Sequence, residues 1–420
     1  MVELSFPLDE HPRLRPIEIF PVDENGERCL VIRDPADPAI APIAVSDGAV
    51  ELLALLDGQR TIDAIAAALQ LRGARINSGQ VRSFLERLDA AGYLEGPRSR
   101  YRLEQRRADF RARPVRLAVH AGGAYPDGID ELPEMLARGY LDPDGPGALP
   151  GVRDPQARPI RGLIAPHIDL HRGAPTYSWA YKALAEAQLA ELYVVLGTCH
   201  TPVEGSFAAT AKPYDTPLGP VAADADFLDR LGRVWGQDLF AGEFSHAAEH
   251  SIEFQAVYLR SLGLAGAGAA PIVAILCESL HSLVPPSQSP RAVARVAEFV
   301  EALRQAMRDD GRRITVIAAV DLAHIGPRFG DHWPVDETHL ERVARDDREM
   351  LDLVLKPDAE AYYQQVMRDQ DARRICGLTP LYLLASLMEA EQQAGELLRY
   401  QQWAEPGGGS SVTFAAAAYV

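Results

Sequence analysis

Apolar positions along the chain keep two different rhythms, and the change falls near residue 115. Between residues 46 and 95 they recur at helical spacing. Val81, Phe84, Leu85 and Leu88 stand at i, i+3, i+4 and i+7, the signature of one buried helix face. Ser46 and Asp47 are expected to start a helix carrying Val50, Leu53, Leu55 and Leu56. Thr61 caps "IDAIAAAL", and Ser78 precedes "QVRSFLERLDAAGYL". Upstream, "EIFPV", "CLVIRD" and "PIAV" read as short strands. Beyond residue 115 the pattern becomes short, almost wholly apolar runs: "RGLIA" (161–165), "LYVVLGT" (192–198), "PIVAILC" (271–277), "ITVIAAVDL" (314–322) and "VTFAAAAYV" (412–420). Such runs fit strands buried on both faces of a sheet. Helical segments at 177–190, 249–262, 290–308 and 337–354 lie between them. The expected fold class is therefore α/β, a central, mostly parallel sheet with flanking helices, preceded by a small helical domain.

A chain of 420 residues exceeds what one core usually supports, consistent with two domains. The boundaries are drawn at 1–97 and 117–420. Between them, 98–116 carries eight arginines against two acidic residues and reads as a basic, solvated linker or exposed helix. Net charge narrows the choice of partners. At −17, with a pI near 5.1, the surface is unsuited to phosphate contacts, so nucleic acid is not an expected partner. No run of about 18 uninterrupted apolar residues is present, so no membrane span is expected. "MVELSFPLDEHPRL" lacks a basic stretch followed by an apolar one, and the four cysteines lack paired spacing. Reduced thiols in a cytoplasmic protein are the expectation. "GLAGAGAAP" (263–271) and "EPGGGSS" (405–411) mark turns.

The residues immediately after the apolar runs point to chemistry. "GLIA" leads to Pro166-His167-Ile168-Asp169, "VVLGT" to Cys199-His200, "AILC" to Glu278, and "IAAV" to Asp321-Leu322-Ala323-His324. Ionisable residues recurring at strand exits are typical of the ligand site of an α/β sheet. His250 and Glu253 in "EHSIE" stand three apart on a helix, so both can face one pocket. A rival pattern overlaps them: "HAAEH" (246–250) fits H-x-x-E-H, an inverted zincin motif, which would make the protein a zinc hydrolase. His246 would then fall at or before a helix start, which weighs against it.

The same blocks carry a resemblance. "PHIDLHRGAPTYSWAYKAL", "VVLGTCHTP", "TPLGPV", "EHSIEFQAVYL", "VDLAHIG" and "CGLTPLYLLASL" occur in the order found in the Memo family, specifically the AmmeMemoRadiSam system protein B group, which the chain resembles. The resemblance implies the fold of class III extradiol dioxygenases and a mononuclear metal held by His167, His200 and Cys376. It implies iron(II) first, with copper and zinc as competitors because a thiolate is a soft ligand. Asp321, His324 and His250 would then orient imidazoles or move protons. Asp169, His171, Arg172 and Glu253 would meet substrate. The family's commoner first block is PHAGY, and the departure here, His167-Ile168-Asp169-Leu170-His171-Arg172-Gly173, falls on that substrate side. The name implies a radical SAM protein and an AMMECR-type protein as partners. Upstream, "PIAVSDGAVELLALLDGQRTIDAIAAAL" and "VRSFLERLDAAGYL" resemble the PqqD-like winged-helix domains, which take a peptide as an added strand. The resemblance leaves two functions open: a non-haem metal-dependent oxidoreductase acting on a small molecule or peptide, or a non-enzymatic metal-binding or peptide-docking scaffold.

Overall fold

The computed structural model describes residues 6–24, 27–34, 40–153, 156–264 and 270–420. The chain forms two compact units, Met1–Arg113 and Pro114–Val420.

The first unit contains β1 (Arg13–Leu14), β2 (Glu18–Glu24), β3 (Glu27–Arg33), β4 (Ile43–Val45), α1 (Asp47–Leu53), α2 (Ile62–Leu71), α3 (Ser78–Ala91), β5 (Leu94–Glu95) and α4 (Pro97–Ala112). β2, β3 and β4 form an antiparallel sheet, and β1 pairs with β5. Helix starts are set by local chemistry. The Thr61 hydroxyl accepts from the Ala64 amide, as expected. α3 is capped by Asn77 in a reciprocal box with Gln80. Val81, Leu85 and Leu88 are buried against Ile62, Ile65 and Leu69, and Phe84 is half-buried. The basic stretch is helical as far as Ala112. It is largely exposed, with Phe110 buried and Arg98, Ser99 and Arg106 half-buried, and is tied to α3 by Arg98 on Asp89 (2.7 Å) and Arg102 on the Ala90 carbonyl (2.7 Å). Its last arginine, Arg116, belongs to the second unit and is wholly buried there, because it meets a buried carboxylate.

The second unit contains α5 (Glu131–Leu141), β6 (Gly162–Ala165), α6 (Leu170–Glu186), β7 (Leu192–Thr198), β8 (Phe207–Thr210), α7 (Ala225–Trp235), α8 (Ser251–Leu264), β9 (Ile272–Cys277), α9 (Leu280–Leu283), α10 (Ala294–Asp310), β10 (Ile314–Ala319), β11 (His324–Ile325), α11 (Glu337–Leu355), α12 (Ala359–Met367), α13 (Leu378–Glu391), β12 (Gly395–Ala404) and β13 (Ser411–Tyr419). The sheet runs β11-β13-β6-β10-β7-β9-β8, with β12 also paired to β13. Among the described residues only β6, β10, β7 and β9 are mutually parallel. The sheet is thus mixed rather than mostly parallel. The short 405–410 connection forces β12 and β13 into an antiparallel hairpin, and β13 enters antiparallel beside β6. The turn expected at 263–271 lies largely outside the described residues.

Alternate residues of each parallel strand enter opposite cores. Val194, Val316 and Val273 pack with Phe227, Phe299, Leu351 and Leu384 on one side. Val195, Ile317 and Ala274 pack with Leu136, Tyr181, Val257 and Tyr258 on the other. Burial on both faces explains the continuous apolar runs. Because the four parallel strands share one direction, their exits lie on one edge, and that edge carries the ionisable residues. Among the described residues no helix is long and apolar enough to cross a membrane.

Candidate metal centre

His167 lies two residues past β6, and α6 begins at Leu170, earlier than the apolar pattern suggests. Asp169 is the cap: its carboxylate accepts from the Arg172 amide at 3.1 Å and pairs with the Arg172 guanidinium. His200 lies two residues past β7, and His250 lies just before α8. Gly197 permits this approach, since a Cβ there would sit 2.5 Å from Ile252 Cγ1 and 2.6 Å from Ser251 Oγ.

These elements bring three imidazoles together. His167, His200 and His250 each offer a ring nitrogen within 4.8 Å of the others, and ring centroids are 4.8–5.3 Å apart. In each ring Nδ1 has a protein partner. His167 Nδ1 donates to the Ala319 carbonyl at 3.0 Å. His200 Nδ1 and His250 Nδ1 both face the Glu249 carboxylate, at 3.1 and 3.2 Å. Glu249 also accepts the amides of His200 (2.9 Å), His250 (2.8 Å) and Ser251 (3.0 Å). An Nδ1–H held in this way, as at His167 and His200, leaves Nε2 to face an ion, the arrangement that orients metal-binding histidines.

Electrostatics divide the three rings. Burial, then the neighbouring His200, pushes His167 down to about 3. Burial also pushes His250 well below its ordinary value, despite Glu249. Both rings are neutral near pH 7, as a ligand must be. At His200 burial is overcome by Glu249, and the pKa is raised. Glu249 itself lies well below the usual carboxylate range, because the adjacent histidines outweigh its burial. Three imidazoles suit iron(II), zinc or copper and leave a coordination position open. The cluster is compatible with metal binding.

Cys376 stands just before α13, with Sγ 3.2 Å from His167 Nε2 and 3.5 Å from the Asp321 carbonyl. It is not part of the close set of three. Gly377 lets its loop reach the β10 exit, since a Cβ there would lie 2.5 Å from Val320 Cβ. Gln370, Asp371 and Arg374, just upstream, all have φ between 54° and 60°. Asp371 accepts the Ile375 amide at 2.9 Å. Non-glycine residues in this region persist where their surroundings over-determine them. Burial, with Asp321 nearby, keeps the Cys376 thiol protonated.

Asp321 Oδ1 accepts the amides of His167 (3.0 Å) and Ile168 (3.1 Å), and Oδ2 lies 3.7 Å from His167 Nε2. Burial pushes its pKa up to about 6. His324 Nδ1 donates to the Leu322 carbonyl at 3.0 Å, and burial lowers its pKa. The other residues singled out in the sequence lie as follows. His250, expected to move protons, lies among the three imidazoles that could hold an ion, beside Glu249. Glu253 is wholly buried, accepting the His120 amide (3.0 Å), the Tyr125 hydroxyl and Arg116, so it does not face a substrate. His171 and Arg172 line a cleft of about 400 Å³ with Met135, Arg138 and Gln401, and none of the three histidines lines it. Arg172 lies over the Trp403 ring, 4.5 Å from its centroid, and Asp169 serves as its partner. "HAAEH" is not a zinc motif here. His246 is buried with Nδ1 on the Tyr214 hydroxyl (2.7 Å) and Nε2 on the Ala208 carbonyl (2.9 Å), so neither nitrogen is free. Glu249 is hidden inside that false motif, and its place immediately before His250 is the available signal.

The chain is 25% identical over 401 residues to a MEMO1 family protein of Aquifex aeolicus, covering 95% of this chain and 98% of that one. It is 29% identical to a MEMO1 family protein of Thermus thermophilus, covering 72% and 82%. A third, from Methanopyrus kandleri, is also 29% identical, covering 71% and 96%. A family model described as Memo-like protein matches residues 116–418, so the chain belongs to the Memo family.

Proposed function

We propose that the second unit is a mononuclear, non-haem metal-dependent oxidoreductase of the extradiol dioxygenase-like type, acting on a small molecule or peptide with iron(II) as the resident ion. The observation that carries this reading is the set of three imidazoles that each offer a ring nitrogen within 4.8 Å of the others, with Nδ1 of each beside a protein acceptor. When bound, the ion supplies Lewis-acid and one-electron chemistry. The protein's own groups orient the donors and move protons. Asp321, titrating near 6, exchanges a proton close to neutral pH, and His324 stands beside it on the same strand exit.

A second reading rests on Cys376. If its thiolate joined the three imidazoles, the ion would have four protein ligands and no open position, which suits a metal-holding scaffold. Copper(I) or zinc would then compete better, because sulfur is softer. The AmmeMemoRadiSam group assignment adds a radical SAM protein and an AMMECR-type protein as partners. A PqqD-like first unit adds a peptide on its sheet, and a cytoplasmic setting fits the reduced cysteines.

Metal analysis of anaerobically purified protein, followed by oxygen uptake with candidate substrates, separates the readings. The oxidoreductase predicts about one equivalent of iron and uptake that depends on His324. Tight copper or zinc with no turnover favours the scaffold, and no bound metal overturns both.

A further inference from the structure

We infer that Arg116 is a positioning residue that holds the His200–His250 side of the metal site. This rests on the metal-site reading above. Arg116 is wholly buried at the start of the second unit. Its amide donates to the Pro213 carbonyl (2.9 Å) and its carbonyl accepts from Asp215 (2.8 Å), pinning the backbone. The guanidinium lies 5.0 Å from the Tyr214 ring centroid. Nε donates to the His246 carbonyl at 2.8 Å, Nη2 to the Glu249 carbonyl at 2.6 Å, and Nη1 to the Leu117 carbonyl at 2.7 Å. Nη1 also pairs with Glu253.

The two distant carbonyls decide the matter. Residues 243–247 form a 3-10 turn and α8 starts at Ser251, so the peptide between them lies outside regular helix. Carbonyls at such an end need outside donors. Arg116 supplies them at His246 and at Glu249 itself, the stretch that leads directly into His250. Glu249 in turn hydrogen-bonds His200 Nδ1 at 3.1 Å, accepts the His250 amide at 2.8 Å, and lies 3.2 Å from His250 Nδ1 as a charge contact. Movement of this segment would therefore disturb two metal donors through one carboxylate. Glu253 leads the other way, to the His120 amide and Tyr125. His120 reaches the same segment, with Nε2 3.0 Å from the Ala248 carbonyl and its ring 5.6 Å from that of His250. A planar guanidinium can serve these directions at once, whereas a lysine concentrates its donors on one atom.

Two full-chain variants separate positioning from charge neutralisation. Arg116→Lys keeps the charge and loses the fork. Arg116→Met with Glu253→Met removes both charges and leaves no uncompensated one. One readout is the histidine ring 15N spectrum of metal-free protein, which reports whether Nδ1 of His200 and His250 stays protonated. The other is titration with Co(II) alone. Both variants should show mixed tautomers at His200 and His250 with His167 unchanged, and Co(II) affinity lower by about 10–100-fold. Wild-type spectra and affinity in either folded variant overturn the inference; recovery in the double variant alone would assign Arg116 to neutralising Glu253. Tyr125→Phe covers the case in which neither folds. It removes a Glu253 partner and leaves the carbonyl bonds of Arg116, so both imidazoles should keep their wild-type signals. A change there overturns the inference by placing the hold on Glu253. Wild-type protein that binds no Co(II) counts against the metal site, while the metal-free spectra still decide the role of Arg116.

Discussion

The two sides of the proposed metal site are built differently. On one, His167 is fixed by a backbone carbonyl, faces a protonated thiol, and is neutral because burial excludes its charge. On the other, His200 and His250 share one ionised carboxylate, which receives three amides as well. Each side is backed by a buried arginine–carboxylate pair. Arg116 and Glu253 stand behind the second. Behind the first, Arg373 pairs with Asp347, which also accepts Thr413 Oγ1 (2.6 Å) and Tyr400 (2.9 Å). Thr413 Oγ1 accepts the Ala323 amide at 2.9 Å, and the Arg373 carbonyl accepts the His324 amide at 2.7 Å. On one side a single carboxylate meets two rings, while on the other a backbone carbonyl orients the ring and Asp321 holds the His167 and Ile168 amides. One substitution, at Glu249, can therefore loosen two donors on the second side, whereas on the first the ring's own Nδ1 partner lies beyond the reach of side-chain substitution.

The largest expected effect comes from the ligands themselves. His167→Ala, His200→Ala and His250→Ala should each lose bound metal while keeping the wild-type circular dichroism spectrum. Elemental analysis checks this, and full metal occupancy in the His250 variant would return the third position to Cys376. Cys376→Ala sharpens the same point. The geometry of three imidazoles predicts that it retains most of the metal, and complete loss would make the thiol an essential ligand.

Next in size is stability. Asp347→Ala leaves Arg373 charged in the interior, at a cost of roughly 3–5 kcal/mol. Denaturant unfolding should register that loss. A change below about 1 kcal/mol would show the pair to be solvated, as exposed pairs are. Glu249→Gln should keep the fold and lower Co(II) affinity by about 10–100-fold, since one substitution loosens two imidazoles. An unchanged affinity would mean that packing alone orients the rings, and the contrast between the two sides would collapse.

Strand exits are legible in the sequence because both-face burial leaves continuous apolar runs, and the first polar residue after each run marks the sheet edge. His167, His200, Asp321 and His324 stand out in that way. The antiparallel strands do not, since "VTFAAAAYV" is as apolar as a parallel strand and carries no record of direction. Capping is harder to read: Asp169 looks like loop chemistry until α6 is seen to begin at Leu170. Arg116 is invisible among seven other arginines of the same stretch, because composition averages over neighbours that face water. Glu253 sits one helical turn from His250, yet α8 turns it toward the interior.

The smallest effect is expected at His246, which lies beside the carboxylate side and takes no part in it. Burial lowers its pKa from 6.5 to about 4. The unfolded chain therefore binds a proton between these values that the folded protein refuses. Stability contributed by the neutral ring is complete above pH 6.5 and is lost as pH falls toward 4, with a slope of roughly 1.4 kcal/mol per pH unit for one proton. His246→Gln supplies a donor and an acceptor for Ala208 and Tyr214 without titrating. Its unfolding free energy, measured by denaturant between about pH 7 and 4, should decline less steeply than wild type, and its metal content should be unchanged. His167 and His250 titrate downward in the same window, so the slope should become shallower without vanishing. An unaltered slope combined with loss of one metal equivalent would show that His246 had been a ligand, and "HAAEH" would regain its reading as a zinc motif.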